Sequence, residues 1–447
     1  MDFPHLSSSQ REALDAFRSG VSMFVTGDAG TGKTELIRCM VQDATARGIR
    51  VAITATTGIA AVNVHGSTLH SFLKLMPDDQ GLTKQEVVAR IKSTFRSKGK
   101  YNPYLKLVNK IRGYRALIID EVSMMDTDMF DKVDFLLREY FLRDVPFGGI
   151  QMVLVGDFFQ LPPVYHNASL PKFIFQMPIF YQVFQRFELL EIFRQQDAFA
   201  SLLRRMRRGI LTPRDISILE ERIGADVSID GIYPTRLFSK NEDVDRMNAS
   251  ELSDLPGPEE RFVSKSTYVP LPGFCEDRLE TCRAKFEKDF SVGTLILKKG
   301  AQVLLTYNLD LSRGLCNGSR GVVETLDPLS VRFINKNHTD TVTVSIDEVL
   351  FTRIDRENHI EFSSSMIPLK LAWATTIHKS QGLSLDCVEI LLDMTIFAEG
   401  QAYVAVSRAR TLEGLSFKAF RKEAIRSSSL VQEFYSTPMA ILKSKYV

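Results

Sequence analysis

Gly27-Asp28-Ala29-Gly30-Thr31-Gly32-Lys33-Thr34 fits the pattern G-x-x-x-x-G-K-[ST]. Such a loop turns successive backbone N–H groups onto an anion, and a helix starting at its end adds a positive dipole terminus. Lys33 then reaches the β- and γ-phosphates of a nucleotide, and the Thr34 hydroxyl ligates Mg²⁺. The chemistry needs an acid at the end of a neighbouring strand to complete the metal shell. Leu117-Ile118-Ile119-Asp120-Glu121 supplies it, with Asp120 for the metal and Glu121 to orient or deprotonate the attacking water. Arg194 in FRQQD and Arg408 in VAVSRAR could reach across a cleft between two domains to stabilise the charge of phosphoryl transfer, although each taken alone reads as a surface or ion-paired arginine. Together these residues point to an ATPase or GTPase core that uses Mg²⁺.

Polar clusters recur further along the chain: TATTGIAA with Thr56 and Thr57, HGSTLHSF with Thr68 and His70, GDFFQLPPV with Gln160 and Pro163, and TTIHKSQG with His378, Lys379 and Gly382. Hydroxyls, basic groups, glycines and aromatic rings in one loop can hold phosphates while stacking bases. Taken singly, each His or Phe serves equally as an ordinary core residue. The 7 histidines show no HxxxH or HExxH spacing and the 5 cysteines no CxxC pair, so a zinc site is not expected. No GxSxG elbow competes with the phosphate loop.

The elements that must position these residues follow from hydropathy. Strands are read over Val21 to Thr26, Val51 to Ala55, Ala116 to Asp120 and Met152 to Asp157. A helix follows the phosphate loop, with Leu36, Ile37, Met40, Val41 and Ala44 on one face. Ser9 and Glu12 make a capping box opening a helix that runs through Phe17. Strands alternating with helices predict a parallel sheet, with sites at the carboxyl ends of its strands. A second series is read at Arg236 to Ser239, Gln302 to Tyr307 and Cys387 to Asp393. Between them, Gly321 to Ile360 carries short β-branched runs split by Asp327-Pro328 and Asn335-Lys336-Asn337, the pattern of a small antiparallel module. Ser253 to Lys288, charged and proline-containing, reads as a surface excursion, and the C-terminal stretch with Ile425, Leu430, Val431 and Phe434 as helical.

Composition narrows the class without naming it. The chain has 447 residues, 44% hydrophobic and 25% charged, enough for two or three cores. A net charge of +2 gives no bulk signal for nucleic acid, so any such binding must be local. No apolar run spans a membrane and no targeting segment is visible, which predicts an intracellular, soluble protein.

Order and spacing carry more than any single motif. SSSQREALDAF, GDAGTGKT, TATTGIAA, GSTLHSF, LIIDEVSMM, PFGGIQMVLVGDFFQLPPV, FRQQDAFASLLRRMRRG, KKGAQVLLTYNLDLSRGLCNGSRG, LAWATTIHKSQG and GQAYVAVSRAR, from about Leu6 to Arg410, resemble a superfamily 1 helicase. Within it the chain is similar to the petite-integration-frequency helicases, related to the RecD proteins, and DKVDFLLREYFLRDVPFGG resembles that family's own signature. The resemblance implies two tandem RecA-like α/β domains with ATP in their cleft, over about 1–190 and 191–447. It also implies a wedge insertion at about 58–76, a β-barrel insertion at about 321–362, and a helical tail is read at about 413–447. It makes Gln10 the adenine-reading glutamine, Gln160 the γ-phosphate sensor, and Arg194 and Arg408 the arginine fingers, with Gly27 to Thr34 and Gly382 around the nucleotide. Thr56, Thr57, Thr68, His70, Pro163, Asn308, His378 and Lys379 then face a single strand. The implied activity is ATP-dependent 5′ to 3′ translocation on single-stranded DNA and unwinding at single/double-strand junctions, by a chain that is a monomer in free solution. A P-loop ATPase remodelling RNA-protein complexes, or a single-strand binder without unwinding activity, are the alternatives.

Overall fold

The computed structural model describes residues 3–76, 79, 81–94, 103–163, 172–193, 197–272, 274–290, 292–307, 309–310, 313, 315, 318–334, 341–355 and 360–446. Contacts divide it into two compact units. The first is drawn from Met1–Thr212, Phe397–Val404 and Ile425–Val447, the second from Pro213–Ile396 and Ala405–Ala424. No helix among the described residues is long and apolar enough to cross a membrane.

The first unit is built on a parallel sheet of β1 (Met23–Gly27), β2 (Val51–Ala55), β3 (Ser67–Thr68), β4 (Ala116–Asp120), β5 (Gln151–Val155) and β6 (Gln185–Leu189), in the order β3-β2-β4-β5-β1-β6. Every position of β1 and β4 is buried, as expected of strands covered on both faces. Alternate residues feed opposite layers. Met23, Val25, Ile118 and Val153 meet Leu14 and Phe17 of helix α1 (Ser8–Arg18) and Leu36, Ile37 and Met40 of helix α2 (Lys33–Ala46). Phe24, Leu117, Ile119 and Leu154 belong to a second, larger layer with Phe130, Leu137, Phe158, Phe175 and Phe180.

The second unit has its own parallel sheet, ordered Ala374–Thr376, Thr235–Phe238, Val388–Leu392, Leu415–Phe420. Antiparallel structure interrupts it. The runs read from the sequence at Gly321 to Ile360 do form strands, but they divide between two sheets and recruit partners from either side. Arg320–Leu326, Leu329–Ile334 and Thr341–Ser345 join Gln302–Leu305 and Leu369–Leu371, whereas Val349–Asp355 pairs with Ile360–Met366, which pairs in turn with Lys265–Pro270. The Asn335-Lys336-Asn337 turn lies outside the described residues.

Three sequence expectations are corrected. The capping box at the start of α1 is Ser7 with Gln10, not Ser9 with Glu12: Gln10 N donates to Ser7 Oγ at 3.3 Å and Ser7 N donates to Gln10 Oε1 at 2.9 Å. Both pairs have the right spacing, and the earlier one wins because Gln10 is buried where Glu12 is exposed. Ser253 to Lys288 is not a mere surface excursion. It holds strands Glu260–Val263 and Lys265–Pro270 and helix Leu279–Phe290, with Cys282 and Phe286 closing a small core against Ile360 and Phe362. Its partners lie far away in sequence, so local composition hid them. Finally, the tail expected to be helical from about 413 opens with strand Leu415–Phe420 of the second sheet, and helix resumes only at Ser429–Ser436 and Met439–Tyr446.

Those last helices return to the first unit. Val431, Phe434 and Leu442 are buried in its larger core layer, and the Phe434 ring stacks on Phe175 with centroids 4.4 Å apart. Truncating a buried Phe costs about 3–5 kcal/mol through lost transfer energy and the cavity left behind. Phe434→Ala is expected to lower the stability of the first unit by about that amount in urea denaturation of the full chain. A loss under about 1 kcal/mol would mean that the helix rests on the core without completing it.

Candidate nucleotide and nucleic-acid sites

Four loops of the first unit leave the carboxyl ends of parallel strands. The phosphate loop follows β1 and turns at Gly27, Gly30 and Gly32, with φ of 153°, 83° and 75°. A Cβ at Gly27 would meet the Leu189 carbonyl oxygen at 2.7 Å, and one at Gly32 would meet Gln10 Nε2 at 2.5 Å. The Leu189 backbone thus excludes a side chain at Gly27. At Gly32 the left-handed φ of 75° and the bracing Gln10 amide disfavour one, so the backbone curves into a cradle. Lys33 Nζ donates to the carbonyls of Gly27 and Asp28, each at 2.9 Å. Burial lowers its pKa, opposed by the negative charges of Asp157, Glu121 and Asp28.

Side chains from distant parts of the chain fix the cradle. Gln10 uses its carbonyl oxygen in the capping box and its amide nitrogen on the Thr31 and Gly32 carbonyls, both at 3.3 Å. The Ala29 N–H donates to the hydroxyl of buried Tyr403 at 2.9 Å. Phe193, its backbone N–H bonded to the Gly30 carbonyl at 2.9 Å, leaves its ring 56% exposed beside Gly32.

At the end of β4, Asp120 accepts the Glu121 N–H at 2.9 Å. Burial pushes the Asp120 carboxyl well above its ordinary range, and the neighbouring Glu121 charge adds to the rise. Glu121 sits in the left-handed region at φ 54°, a strained conformation for a non-glycine residue.

The loop after β5 is held by a buried ion triad. Arg207 donates to Asp157 through Nε at 2.9 Å and through a terminal nitrogen at 2.7 Å. Its other terminal nitrogen lies 3.0 Å from Asp28 of the phosphate loop, which Arg204 also meets at 3.0 Å. Burial alone would lower the Arg207 pKa, but the Asp157 charge and hydrogen bonds outweigh it and hold the guanidinium above its usual value. The guanidinium lies against the rings of Phe159, 4.4 Å away, and Tyr435, 4.9 Å away, which stack on each other with centroids 4.8 Å apart. The Tyr435 hydroxyl reaches Thr26 of β1 at 2.6 Å and accepts the Phe158 N–H at 3.2 Å. Gln160 follows at once, buried, its N–H on the Asp157 carbonyl at 2.9 Å. Glycine is required opposite it, since a Cβ at Gly400 would lie 2.6 Å from the Gln160 carbonyl oxygen.

The loop after β2 carries Thr56 and Thr57. Thr56 Oγ donates to the Glu121 carbonyl at 2.8 Å, and Thr57 Oγ accepts the Ala60 N–H at 3.2 Å. Thr68 caps the helix Leu69–Leu73 through the Ser71 N–H at 3.2 Å. A cavity of about 380 Å³ opens here, lined by Thr56, His70, Met125, Lys132 and Pro163 among others. Burial lowers the His70 pKa, against an upward pull from Asp79 and Asp126, and so favours a neutral ring.

Lys33, Thr34, Asp120, Glu121, Gln160 and Gln10 thus share the first unit with Thr56, Thr57, Thr68, His70 and Pro163. His378, Lys379, Gly382 and Arg408 belong to the second. There the Lys379 N–H bonds Thr376 Oγ at 3.1 Å, His378 is kept neutral by burial, and Gly382 turns at φ 81°. Arg408, 2% exposed, donates to the Ser380 and Leu383 carbonyls and to Ser407 Oγ. Arg194 and Asn308 lie outside the described residues. Sequence reasoning overlooked Phe193, Arg207, Tyr403 and Tyr435. Phe193 and Tyr403 lie inside FRQQD and GQAYVAVSRAR, and Arg204 and Arg207 are one turn apart in a basic helix, whereas nothing local marks Tyr435.

Against this geometry, the PIF1-like helicase family profile matches residues 5–212, and the profile of the 2B domain of the DNA helicase Pif1 matches residues 290–326. The crystal structure of Pif1 helicase from Candida albicans is 31% identical with a TM-score of 0.74, over 98% of this chain and 99% of that one. The chain belongs to the PIF1-like helicase family. The human ATP-dependent DNA helicase PIF1 is 36% identical over 97% of this chain, which spans 64% of that relative's length. Pif1 helicase from Bacteroides, crystallised with ADP-AlF3 and ssDNA, is 28% identical with a TM-score of 0.63, over 99% of this chain and 98% of that one. Membership accounts for the two parallel α/β cores.

Removing one partner of a buried ion pair strands the other charge, at a cost of about 3–5 kcal/mol. Arg207→Met is expected to destabilise the first unit by that much. Arg207→Met combined with Asp157→Leu is expected to recover part of the loss, because no carboxylate is then left unpaired. Urea denaturation of both variants checks this, and simple additivity would contradict the triad.

Proposed function

We propose that this chain is an ATP-dependent DNA helicase that moves 5′ to 3′ on single-stranded DNA and opens duplex at single/double-strand junctions. The observation that carries the reading is the hydrogen bond from Thr56 to the Glu121 carbonyl, which joins the loop lining the cavity to the acid beside the phosphate cradle. A strand pressing on the Thr56 loop would shift the residue that positions water. Support comes from the human relative, named an ATP-dependent DNA helicase, and from the ADP-AlF3 and ssDNA in the Bacteroides complex. Polarity rests on family resemblance alone.

The residues suit a magnesium nucleotide. The cradle at Gly27 to Gly32 presents N–H groups to phosphate oxygens, and Thr34 and Asp120 offer the hard oxygen donors that Mg²⁺ prefers. Bound there, Mg²⁺ would neutralise charge on the phosphoryl oxygens. Lys33 exchanges the Gly27 and Asp28 carbonyls for phosphate oxygens, and Glu121 orients the attacking water. Gln160, set by the Asp157–Arg207 pair, reads the γ-phosphate. Gln10 and Phe193 flank the expected adenine position, Phe193 as a stacking surface. Arg194, Arg408 and Gly382 are assigned to the nucleotide, and Thr57, Thr68, His70, Pro163, Asn308, His378 and Lys379 to the strand. The segment 58–76 is assigned as the wedge, and 321–362 as the β-insertion.

Steady-state ATPase activity tests the reading, without polymer and with single-stranded DNA, duplex DNA or single-stranded RNA, taking Lys33→Ala as the blank. Strong stimulation by single-stranded DNA is expected. Stimulation by RNA alone, or by no polymer, would replace the DNA motor with a remodelling ATPase. Glu121→Gln is expected to keep ATP affinity within about 3-fold while turnover falls by roughly 10²-fold or more, the usual contribution of a general base. Phe193→Ala, losing a stack worth ~0.5–1.5 kcal/mol, is expected to raise the KM for ATP roughly 2- to 12-fold at nearly constant kcat. An unchanged KM would remove Phe193 from the site.

A further inference from the structure

Linear spacing argued against a metal site other than that for Mg²⁺, but the fold assembles donors that spacing cannot see. Glu35 and Cys39 lie one turn apart on α2, directly after the phosphate loop. His5, from the segment entering α1, closes on both. Its Nε2 is 3.3 Å from Glu35 Oε1 and 3.7 Å from Cys39 Sγ, and Cys39 Sγ is 3.9 Å from the same Glu35 oxygen. A tetrahedral ion with bonds of ~2.0–2.3 Å requires donor separations of about 3.3–3.6 Å. The three atoms therefore need to close by only a few tenths of an ångström.

The surroundings fit as well. Arg38 holds the other Glu35 oxygen at 3.1 Å, leaving Oε1 for the ion in the way that ligating carboxylates are commonly braced. Phe3 packs edge-on against the His5 ring, with centroids 6.2 Å apart. The His5 and Glu35 side chains are 54% and 42% exposed, which leaves an approach from solvent and room for a water as fourth ligand. Thiolate, imidazole and carboxylate together select zinc over magnesium or calcium.

We propose that His5, Glu35 and Cys39 form a zinc site, completed by water, that staples the segment before α1 to the phosphate-loop helix. The Cys39 thiol gives its proton to solvent as the Sγ–metal bond forms. The ion would thereby tie the lead into Gln10, which braces the Thr31 and Gly32 carbonyls, to the turn of α2 that carries Lys33 and Thr34.

The test uses the full chain, reduced and stripped with a chelator, and titrated with Co²⁺ as a spectroscopic stand-in for zinc. One equivalent is expected to produce a thiolate-to-cobalt charge-transfer band with the visible bands of tetrahedral cobalt, and Zn²⁺ is expected to bleach both. Cys39→Ser and His5→Ala should each abolish the bands. His5→Ala, at an exposed side chain, should melt like the metal-free wild type while losing the rise in melting temperature that zinc gives the wild type. Absence of the bands at one equivalent, or their survival in either variant, would overturn the site.

Discussion

A single buried cation holds the nucleotide end of the first unit in register. Arg207 lies between Asp157, after β5, and Asp28, after β1, so one guanidinium ties the loop that carries Gln160 to the loop that leads into Lys33. Charges this deep are costly to desolvate, and only mutual pairing with near-complete hydrogen bonding makes them tolerable. Arg207 meets that condition with carboxylates at its edge and a stacked pair of aromatic rings against it. Apolar residues of equal volume would fill the space, but they would not fix the angle between the loops. A planar fork with fixed donor directions does so.

The remaining braces follow the same logic. Gln10, Tyr403 and Tyr435 each hold backbone atoms of a site loop by hydrogen bonds, and the Asp28 and Asp157 side chains are held by Arg207. Lys33 rests its ammonium on two carbonyls of its own loop. Those contacts are weak compared with a phosphate dianion, so the site is shaped in advance while its principal cation stays exchangeable. Rigid walls around one movable charge are the arrangement that gains most from preorganisation.

How much of this the sequence revealed depended on distance along the chain. Val51–Ala55 and Ala116–Asp120 were read to the residue because short, largely apolar runs bounded by polar turns leave little choice of limits. Lys33, Asp120 and Glu121 were singled out from their neighbours in the chain, and the fold brings the three together in the first unit. Arg207 was not singled out, because an arginine in a basic helix looks solvated until its two carboxylates are found, one 50 residues before it. Tyr435 lies 409 residues from the threonine it bonds, and no local periodicity encodes that contact. Ser253 to Lys288 was misread for the same reason, with its strand partners contributed by residues beyond it. The Ser7–Gln10 cap failed differently. Two overlapping capping patterns were present, and only burial of Gln10 under the phosphate loop chose between them.

The return of Ser429–Tyr446 to the core begun at Phe24 also bears on synthesis. A ribosome that has finished the sheet of the first unit must still add more than two hundred residues before Phe434 emerges. At ~5–20 residues per second this takes roughly 10–50 s. Through that interval Phe24, Phe158, Phe175 and Phe180 lack their last neighbour, so the nascent protein carries an open aromatic face while the second unit is being made. Chain order thus leaves the earlier unit to be completed last, and the open face is a surface for chaperones to cover.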